Sequence, residues 1–239
     1  MMRGAVAAAV MLQATADTDT AVFREVGSFT HKNPAVCTFT GLANIDNNTF
    51  PGSNSTALFT TSFDALAKDE VTVVTDFGTS VNTGSFDDVL VEDNTLWPNM
   101  VTMLPTDEFG QPSLLVAGGF LVPGKTTGSI DVFLFDSAST TPTQHIKLST
   151  DKKDFFYHKA VMHDMDGDGD NDVLAARATD PTLPWQKKAS ELLWLERPGD
   201  PVSGNWTEHV LFENGCVVHR CCMVIARAGT SEVPWRLCC

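Results

Sequence analysis

Short apolar runs separated by turn-forming residues make up most of the chain. Runs rich in Val, Leu, Phe and Thr are divided by clusters of Gly, Pro, Asn and Asp, and no long segment repeats its apolar residues with the helical period. Runs of about four to eight such residues, bounded by turn formers, are typical of β-strands. We therefore expect an all-β fold, with strands that include Ala57–Thr61, Glu70–Thr75, Ser113–Ala117, Ile130–Phe135, Asp172–Ala176 and Glu191–Glu196.

The predicted strands recur with a period near 60 residues. Val101 and Val161 are 60 positions apart, and Leu115 and Leu174 are 59 apart. An earlier and fainter unit precedes these two. Each unit has room for about four short strands, which is the size of a β-propeller blade. We expect about three blades, at approximately 17–90, 91–150 and 151–213, and since propellers usually close with about four to eight blades, this propeller would be incomplete.

The two ends of the chain differ from this repeat. Residues 1–16 combine Arg3, an apolar run too short to cross a bilayer and an Ala-x-Ala pattern, which predicts a signal peptide and a secreted protein. Residues 214–239 are rich in cysteine and do not continue the repeat. They have two interpretations: a native disulfide-bonded tail, or the product of truncation or alternative splicing without independent function. The six cysteines, which allow three disulfides in any of 15 pairings, are Cys37, Cys216, Cys221, Cys222, Cys238 and Cys239.

Charge and sequons narrow the class of partner. The net charge of −14, from 30 acidic and 16 basic residues, argues against nucleic acid or an anionic membrane as the main partner. No segment is long and apolar enough for a membrane span. Three Asn-x-Ser/Thr sequons predict glycosylation at Asn47, Asn54 and Asn205, in agreement with secretion.

One loop concentrates acidic residues. The segment Asp164–Asp172 reads DMDGDGDND and holds five aspartates within nine residues. Alternate residues of a tight loop can point toward one centre, and its two glycines permit the positive φ angles that such a loop needs. Hard oxygen ligands at this spacing suit Ca²⁺ and disfavour zinc or copper. The sequence therefore predicts a Ca²⁺ site formed by Asp164, Asp166, Asp168, Asp170 and Asp172, with position 170 offering its backbone carbonyl.

An EF-hand is the competing interpretation of this loop. With Asp164 as position 1, an EF-hand needs an acidic ligand at position 12 and flanking helices. Position 12 is Ala175, inside the apolar run VLAARA, and no helix is indicated on either side. The loop is therefore expected to connect two β-strands.

The combination of loop and strand resembles the FG-GAP/VCBS repeat family, as found in integrin α-subunit propellers. The family pattern, roughly D-x-D-x-D-G-x-x-D before a hydrophobic strand, is matched by Asp164, Asp166, Asp168, Gly169 and Asp172. The match is specific over about Tyr157–Phe212 and faint in the two earlier units, where LPTDEFGQPSLL offers only Asp107 and Glu108 at the corresponding loop. The resemblance implies a propeller blade that holds a structural Ca²⁺.

Two functions are compatible with this resemblance. The first is a secreted binding or adhesion module for an extracellular protein or carbohydrate, and the second is a carbohydrate-active enzyme. The sequence favours the module, because it holds none of the common hydrolase, zinc-protease or phosphate-loop motifs. Candidate ligand-binding residues are Trp185, in a proline-bounded loop, and His158. On a regular strand His158 and His163 lie on opposite faces, so both cannot contact one ligand without a bulge.

Overall fold

The computed structural model describes residues 6–12, 23–30, 40–43, 50–51, 56–62, 68–119, 126–137, 139–179 and 189–213. These residues form sixteen strands and two short helices. In chain order they are β1 Val6–Leu12, β2 Phe23–Thr30, β3 Thr40–Ala43, β4 Ala57–Ser62, β5 Glu70–Val74, α1 Phe77–Thr83, β6 Val89–Glu92, β7 Pro98–Leu104, α2 Thr106–Phe109, β8 Ser113–Gly118, β9 Thr127–Gly128, β10 Ile130–Leu134, β11 Gln144–Lys147, β12 Lys152–Lys153, β13 Phe156–His163, β14 Asp172–Ala178, β15 Ser190–Glu196 and β16 Thr207–Glu213.

Three four-stranded antiparallel sheets share one topology. The first sheet is β3-β4-β5-β6, the second is β7-β8-β10-β11 and the third is β13-β14-β15-β16, and each strand pairs with the next strand of its own sheet along the chain. Two small pairs, β1-β2 and β9-β12, complete the sheets. The all-β prediction is confirmed, and each of the six strands named from the sequence is present within one or two residues of its predicted bounds.

The three sheets stack face to face. Leu114 and Val116 of β8 lie in a cluster with Phe59 and Val73 of the first sheet. Their neighbours Leu115 and Ala117 lie in a separate cluster that includes residues of the third sheet. Successive side chains of a strand point to opposite faces, so a strand that is buried on both faces reads as a continuous apolar run. This explains why β8, with the sequence SLLVAG, shows no alternation of polar and apolar residues.

The helix α1 covers the other face of the first sheet. Its residue Phe77 packs with Leu58, Val74 and Phe86, and the rings of Phe77 and Phe86 lie 5.9 Å apart. The helix ends at Gly84, whose φ of 72° is left-handed and whose N–H donates to Ser80 O. Neither helix was predicted from the sequence. Phe77 is the one buried residue of α1, so the helix carries no apolar period that could reveal it.

The predictions for the two ends of the chain are not tested by this fold. Residues 6–12 of the predicted signal peptide form β1, which pairs with β2, and the rest of residues 1–16 lie outside the described residues. The tail 214–239 and all six cysteines also lie outside them. Cleavage, secretion and disulfide formation therefore stay predictions.

Candidate metal centre

The acidic loop closes a β-hairpin in the third sheet. Strand β13 ends at His163 and β14 begins at Asp172, and these two residues are paired across the hairpin. The loop thus runs between two strands, as predicted. Position 12 of the EF-hand alignment, Ala175, is fully buried inside β14 and pairs with Ala160. The EF-hand interpretation is excluded by this geometry.

Three of the five predicted ligands converge. Carboxylate oxygens of Asp164, Asp166 and Asp172 all lie within 4.8 Å of one another. Asp172 is buried at the start of β14, Asp164 is half-buried and Asp166 is exposed, so the group opens to solvent on one side. Asp168 and Asp170 are exposed and are not part of this group.

The carboxylates are oriented by backbone N–H groups of the loop itself. Asp164 accepts from Gly167 N at 2.7 Å and from Gly169 N at 3.1 Å, one bond to each oxygen. Asp172 accepts from Met165 N and from Arg197 N, the residue that follows β15. A carboxylate oxygen has two lone-pair sites, so each of these oxygens retains a site for a second donor or for a cation. The loop therefore orients Asp164 and Asp172 before any ion is added, whereas the exposed Asp166 accepts one bond, from Asp168 N at 3.1 Å.

Two glycines make this loop conformation accessible. Gly167 and Gly169 have φ angles of 84° and 99°. Side chains with a Cβ atom avoid this region because the Cβ approaches the backbone too closely. The sequence signal DGDG thus corresponds to the two positions where the chain turns to bring Asp164 and Asp166 beside Asp172.

The convergence concentrates negative charge. Two carboxylates about 4 Å apart repel by roughly 4 kcal/mol at an effective dielectric constant near 20. At Asp166 the N–H of Asp168 favours the charged form, but desolvation and the charges of Asp168, Asp172 and Asp164 together outweigh it and raise the pKa. A divalent cation with a preference for hard oxygen ligands would offset this repulsion.

The corresponding loop of the second sheet has a different structure. It connects β7 to β8 and holds α2, whose residue Glu108 is buried. Glu108 accepts from Asn171 Nδ2 at 2.6 Å, at the end of the acidic loop, and from Arg197 Nη1 at 3.1 Å. Arg197 also lies over the ring of Phe109. The acidic loop is therefore anchored to the second sheet as well as to its own hairpin.

Sequence reasoning missed this role of Glu108. In the sequence, the motif LPTDEFGQPSLL is comparable with the acidic loop only as a possible ion-binding loop. Glu108 is followed by Phe109, which is buried and stacks with Trp206 of the third sheet at 6.3 Å between ring centroids. The sequence signal for this contact was the pair Glu108-Phe109, a charged residue beside an aromatic residue in a short turn. Such a pair indicates that the turn packs against another part of the molecule.

The other candidate residues lie apart from the acidic loop. His158 is exposed and sits at a bulge of β13, between the pairs Tyr157–Arg177 and Lys159–Ala176. The expectation that His158 and His163 lie on opposite faces assumed a regular strand. The bulge at His158 interrupts the alternation of side chains between the two faces. Asn205 precedes β16 and is exposed, which leaves it accessible. The predicted ligand residue Trp185 and the sequons at Asn47 and Asn54 lie outside the described residues.

Comparisons with known proteins do not add to this picture. No protein-family model, curated protein or solved structure matches the chain. Among the described residues, no helix has the length and apolar character that a membrane crossing requires. The assignment of function rests on the geometry of the molecule itself.

Proposed function

We propose that the loop Asp164–Asp172 binds Ca²⁺. The observation that carries this proposal is the convergence of the carboxylates of Asp164, Asp166 and Asp172 within 4.8 Å. Ca²⁺ takes about six to eight oxygen ligands in flexible geometry, and carboxylates, backbone carbonyls and water all qualify. Asp168 and the carbonyl of Asp170 complete the proposed ligand set when the ion draws the loop together.

The role of the ion in this proposal is structural. The loop joins β13 to β14, and through Asn171 and Asp172 it also contacts Glu108 of the second sheet and Arg197 after β15. An ion held by Asp164, Asp166 and Asp172 would stabilise both the β13–β14 hairpin and its contact with Glu108. Near-millimolar extracellular calcium would fill a site with a dissociation constant of about 10⁻⁴ to 10⁻³ M.

We further propose that the three sheets are blades of the FG-GAP/VCBS type in a secreted binding or adhesion module. Three four-stranded meanders that stack face to face support this, as does the acidic loop between the first and second strands of the third one. Extracellular protein or carbohydrate is the proposed class of partner. The acidic net charge of −14 agrees with a partner other than nucleic acid.

Calcium titration tests the central proposal. At about 10 mM Ca²⁺, a site of this affinity adds roughly 1.4 to 2.7 kcal/mol to the free energy of unfolding and raises the melting temperature by several degrees. The double variant Asp166→Ala/Asp168→Ala is expected to lose this gain, measured by thermal melts and by calorimetric titration. Asp107→Ala is the matched control, since Asp107 is the exposed aspartate of the equivalent loop in the second sheet. A full calcium response of the double variant would show that the loop is not the site.

A further inference from the structure

A polar cleft lies between the connection from β6 to β7 and one edge of the second sheet, and it shares no residue with the acidic loop. Its volume is about 290 Å³. Asn94 and Leu96, from the connection between β6 and β7, form one side, and Ser129, Asp131, His145 and Lys147 of the second sheet form the other. The cleft therefore depends on the contact of separate chain segments and is not a feature of one loop.

A fixed pair of polar side chains forms the floor of this cleft. Asp131 is 2 % exposed, and its carboxylate accepts from Ser129 Oγ and bonds His145 Nε2 at 2.7 Å. The imidazole of His145 stacks on Phe133, with 4.6 Å between centroids and 10° between planes. Asp131 and Phe133 thus set the position of His145.

The charges that line the cleft are already paired. Lys147 forms an ion pair with Asp151, and Asp131 is bonded to His145. A phosphate or an ammonium group would have to displace one of these partners in order to bind. The paired charges favour a neutral ligand, since such a ligand adds hydrogen bonds without separating an ion pair.

The uncharged lining fits a ligand that carries several hydroxyl groups. The side chains of Asn94 and Thr127 add an amide and a hydroxyl that both donate and accept, and the Ser129 hydroxyl, which donates to Asp131, can still accept. Leu96 is 38 % exposed and provides an apolar surface in the same cleft. A sugar ring presents hydroxyls at its edge and C–H groups on its face. The volume of about 290 Å³ lies just below the range of drug-sized ligand sites, about 300 to 1,000 Å³.

The arrangement is that of a binding site and not of a serine hydrolase. In such a hydrolase the histidine lies between serine and aspartate and takes the proton of the serine hydroxyl. Here the carboxylate of Asp131 lies between Ser129 and His145, and Ser129 donates its proton to Asp131. The serine is therefore not activated as a nucleophile.

We propose that this cleft binds one residue of a neutral, hydroxyl-rich ligand, a saccharide, with Asp131 and His145 as its polar anchors. The inference deepens the binding role proposed above, on which it rests, but it does not use the acidic loop. Calcium binding and sugar binding are therefore separable, and the two proposals can fail independently.

Ligand-observed NMR with glucose, galactose, mannose, fucose and N-acetylglucosamine tests the proposal on the full chain. At least one of these sugars is expected to bind with a dissociation constant of about 10 mM or below. His145→Gln, at an exposed side chain that leaves the fold intact, and Asp131→Asn are expected to weaken binding by about tenfold, which is 1.4 kcal/mol. Lys153→Gln is the control, because Lys153 is exposed and lies outside the cleft.

Three results would overturn the proposal. They are the absence of binding by every sugar of the panel, binding that both cleft variants leave unchanged, and preferential binding of inorganic phosphate. Each titration is run with Ca²⁺ and again with EDTA. Sugar binding in both media together with no calcium response would contradict the calcium site alone, whereas a calcium response without sugar binding would contradict the cleft alone.

Discussion

The two junctions between the stacked sheets differ in how they accommodate buried charge. On the third-sheet side of its junction with the second sheet, carboxylates pair with a buried arginine of the same sheet. Arg177, on the face of β14 that packs toward the second sheet, is fully buried and donates to Glu208 at 2.5 and 2.6 Å and to Glu191 at 2.6 Å. The junction of the first and second sheets buries Glu92, which is 4 % exposed, without a cation. Oε2 of Glu92 accepts two backbone N–H groups, and Oε1 has no hydrogen-bond partner among the described residues.

Because of this difference, the pKa values of Glu92 and Glu191 shift in opposite directions. Burial raises the pKa of Glu92 to about 7, and the N–H groups of Thr95 and Asn94 only partly oppose it. Burial also disfavours the charged form of Glu191, yet the bonds from Lys152 and Arg177 outweigh it and lower the pKa of Glu191. Arginine stays charged at every relevant pH. We infer that fixed charge holds the strands of the third sheet together on the face toward the second sheet, and that the first-to-second junction depends on protonation.

Removal of Arg177 is expected to have the largest effect. Arg177→Met leaves Glu191 and Glu208 in a largely buried site with only Lys152 nearby, and it also removes the bond to the Tyr157 hydroxyl at 2.9 Å. Breaking a buried ion pair on one side costs about 3 to 5 kcal/mol. Urea unfolding at pH 7 measures this loss of stability.

Lys152→Met is the matched control for that variant. Lys152 pairs with the same Glu191 at 2.8 Å, but its side chain is 38 % exposed. Exposed ion pairs contribute at most about 1 kcal/mol. Equal losses for the two variants would contradict the view that the buried guanidinium holds these strands of the third sheet together.

The second prediction concerns pH and the first-to-second junction. The folded-state pKa of Glu92 lies above its ordinary value of 4.5, so its contribution to stability is complete below pH 4.5 and is lost as the pH rises through about 7. The hydrogen bond to Asp131 raises the pKa of His145 above 6.5, which acts in the same direction. The free energy of unfolding is therefore expected to fall by about 2 to 3 kcal/mol between pH 5 and pH 8.

The variant Glu92→Gln tests whether the titration of Glu92 causes the loss of stability between pH 5 and pH 8. The amide keeps the shape of the side chain and cannot titrate, so the variant is expected to lose most of the decrease and to be more stable than the wild type at pH 8. His145→Gln is expected to remove only a smaller part of the decrease in the free energy of unfolding. Urea unfolding at four pH values between 5 and 8 separates the two, and a decrease that persists in Glu92→Gln would contradict the assignment.

Much of the fold was predictable because the repeat is visible in the strands. The period near 60 residues places β8 and β14 correctly, and each sheet is a local meander whose strands pair with their neighbours in the chain. The helices α1 and α2 were missed because each presents only one or two buried residues. Their stability comes from contacts with residues distant in sequence, such as the packing of Phe109 on Trp206.

The acidic loop and the cleft also differ in whether the sequence reveals them. The acidic loop could be located from sequence because all its converging carboxylates lie between Asp164 and Asp172. The cleft at Asp131 and His145 could not, because its sides come from separate chain segments and its residues are ordinary polar types at unrelated spacings. Glu108 was likewise hidden, since its partner Arg197 lies 89 residues away.

The smallest expected effect tests whether the acidic loop shares the rigidity of the second-to-third junction. Asn171 and Asp172 tie the end of the loop to Glu108 and to Arg197 N, and Gly169, two residues before Asn171, has a φ of 99°. A Cβ atom at Gly169 meets no atom within 4 Å, so Gly169→Ala introduces backbone strain without a clash. This strain is expected to cost about 1 kcal/mol in urea unfolding with EDTA present.

Gly199→Ala is the control for this variant, because Gly199 also has open space around its Cβ position but has no positive φ. It is expected to be neutral or to stabilise the chain slightly, since alanine restricts the unfolded state. If Gly169→Ala proved as stable as Gly199→Ala, the loop would be free to relax to a negative φ. The carboxylates of Asp164, Asp166 and Asp172 would then not be held together in advance of an ion, and the acidic loop would not be part of the rigid junction.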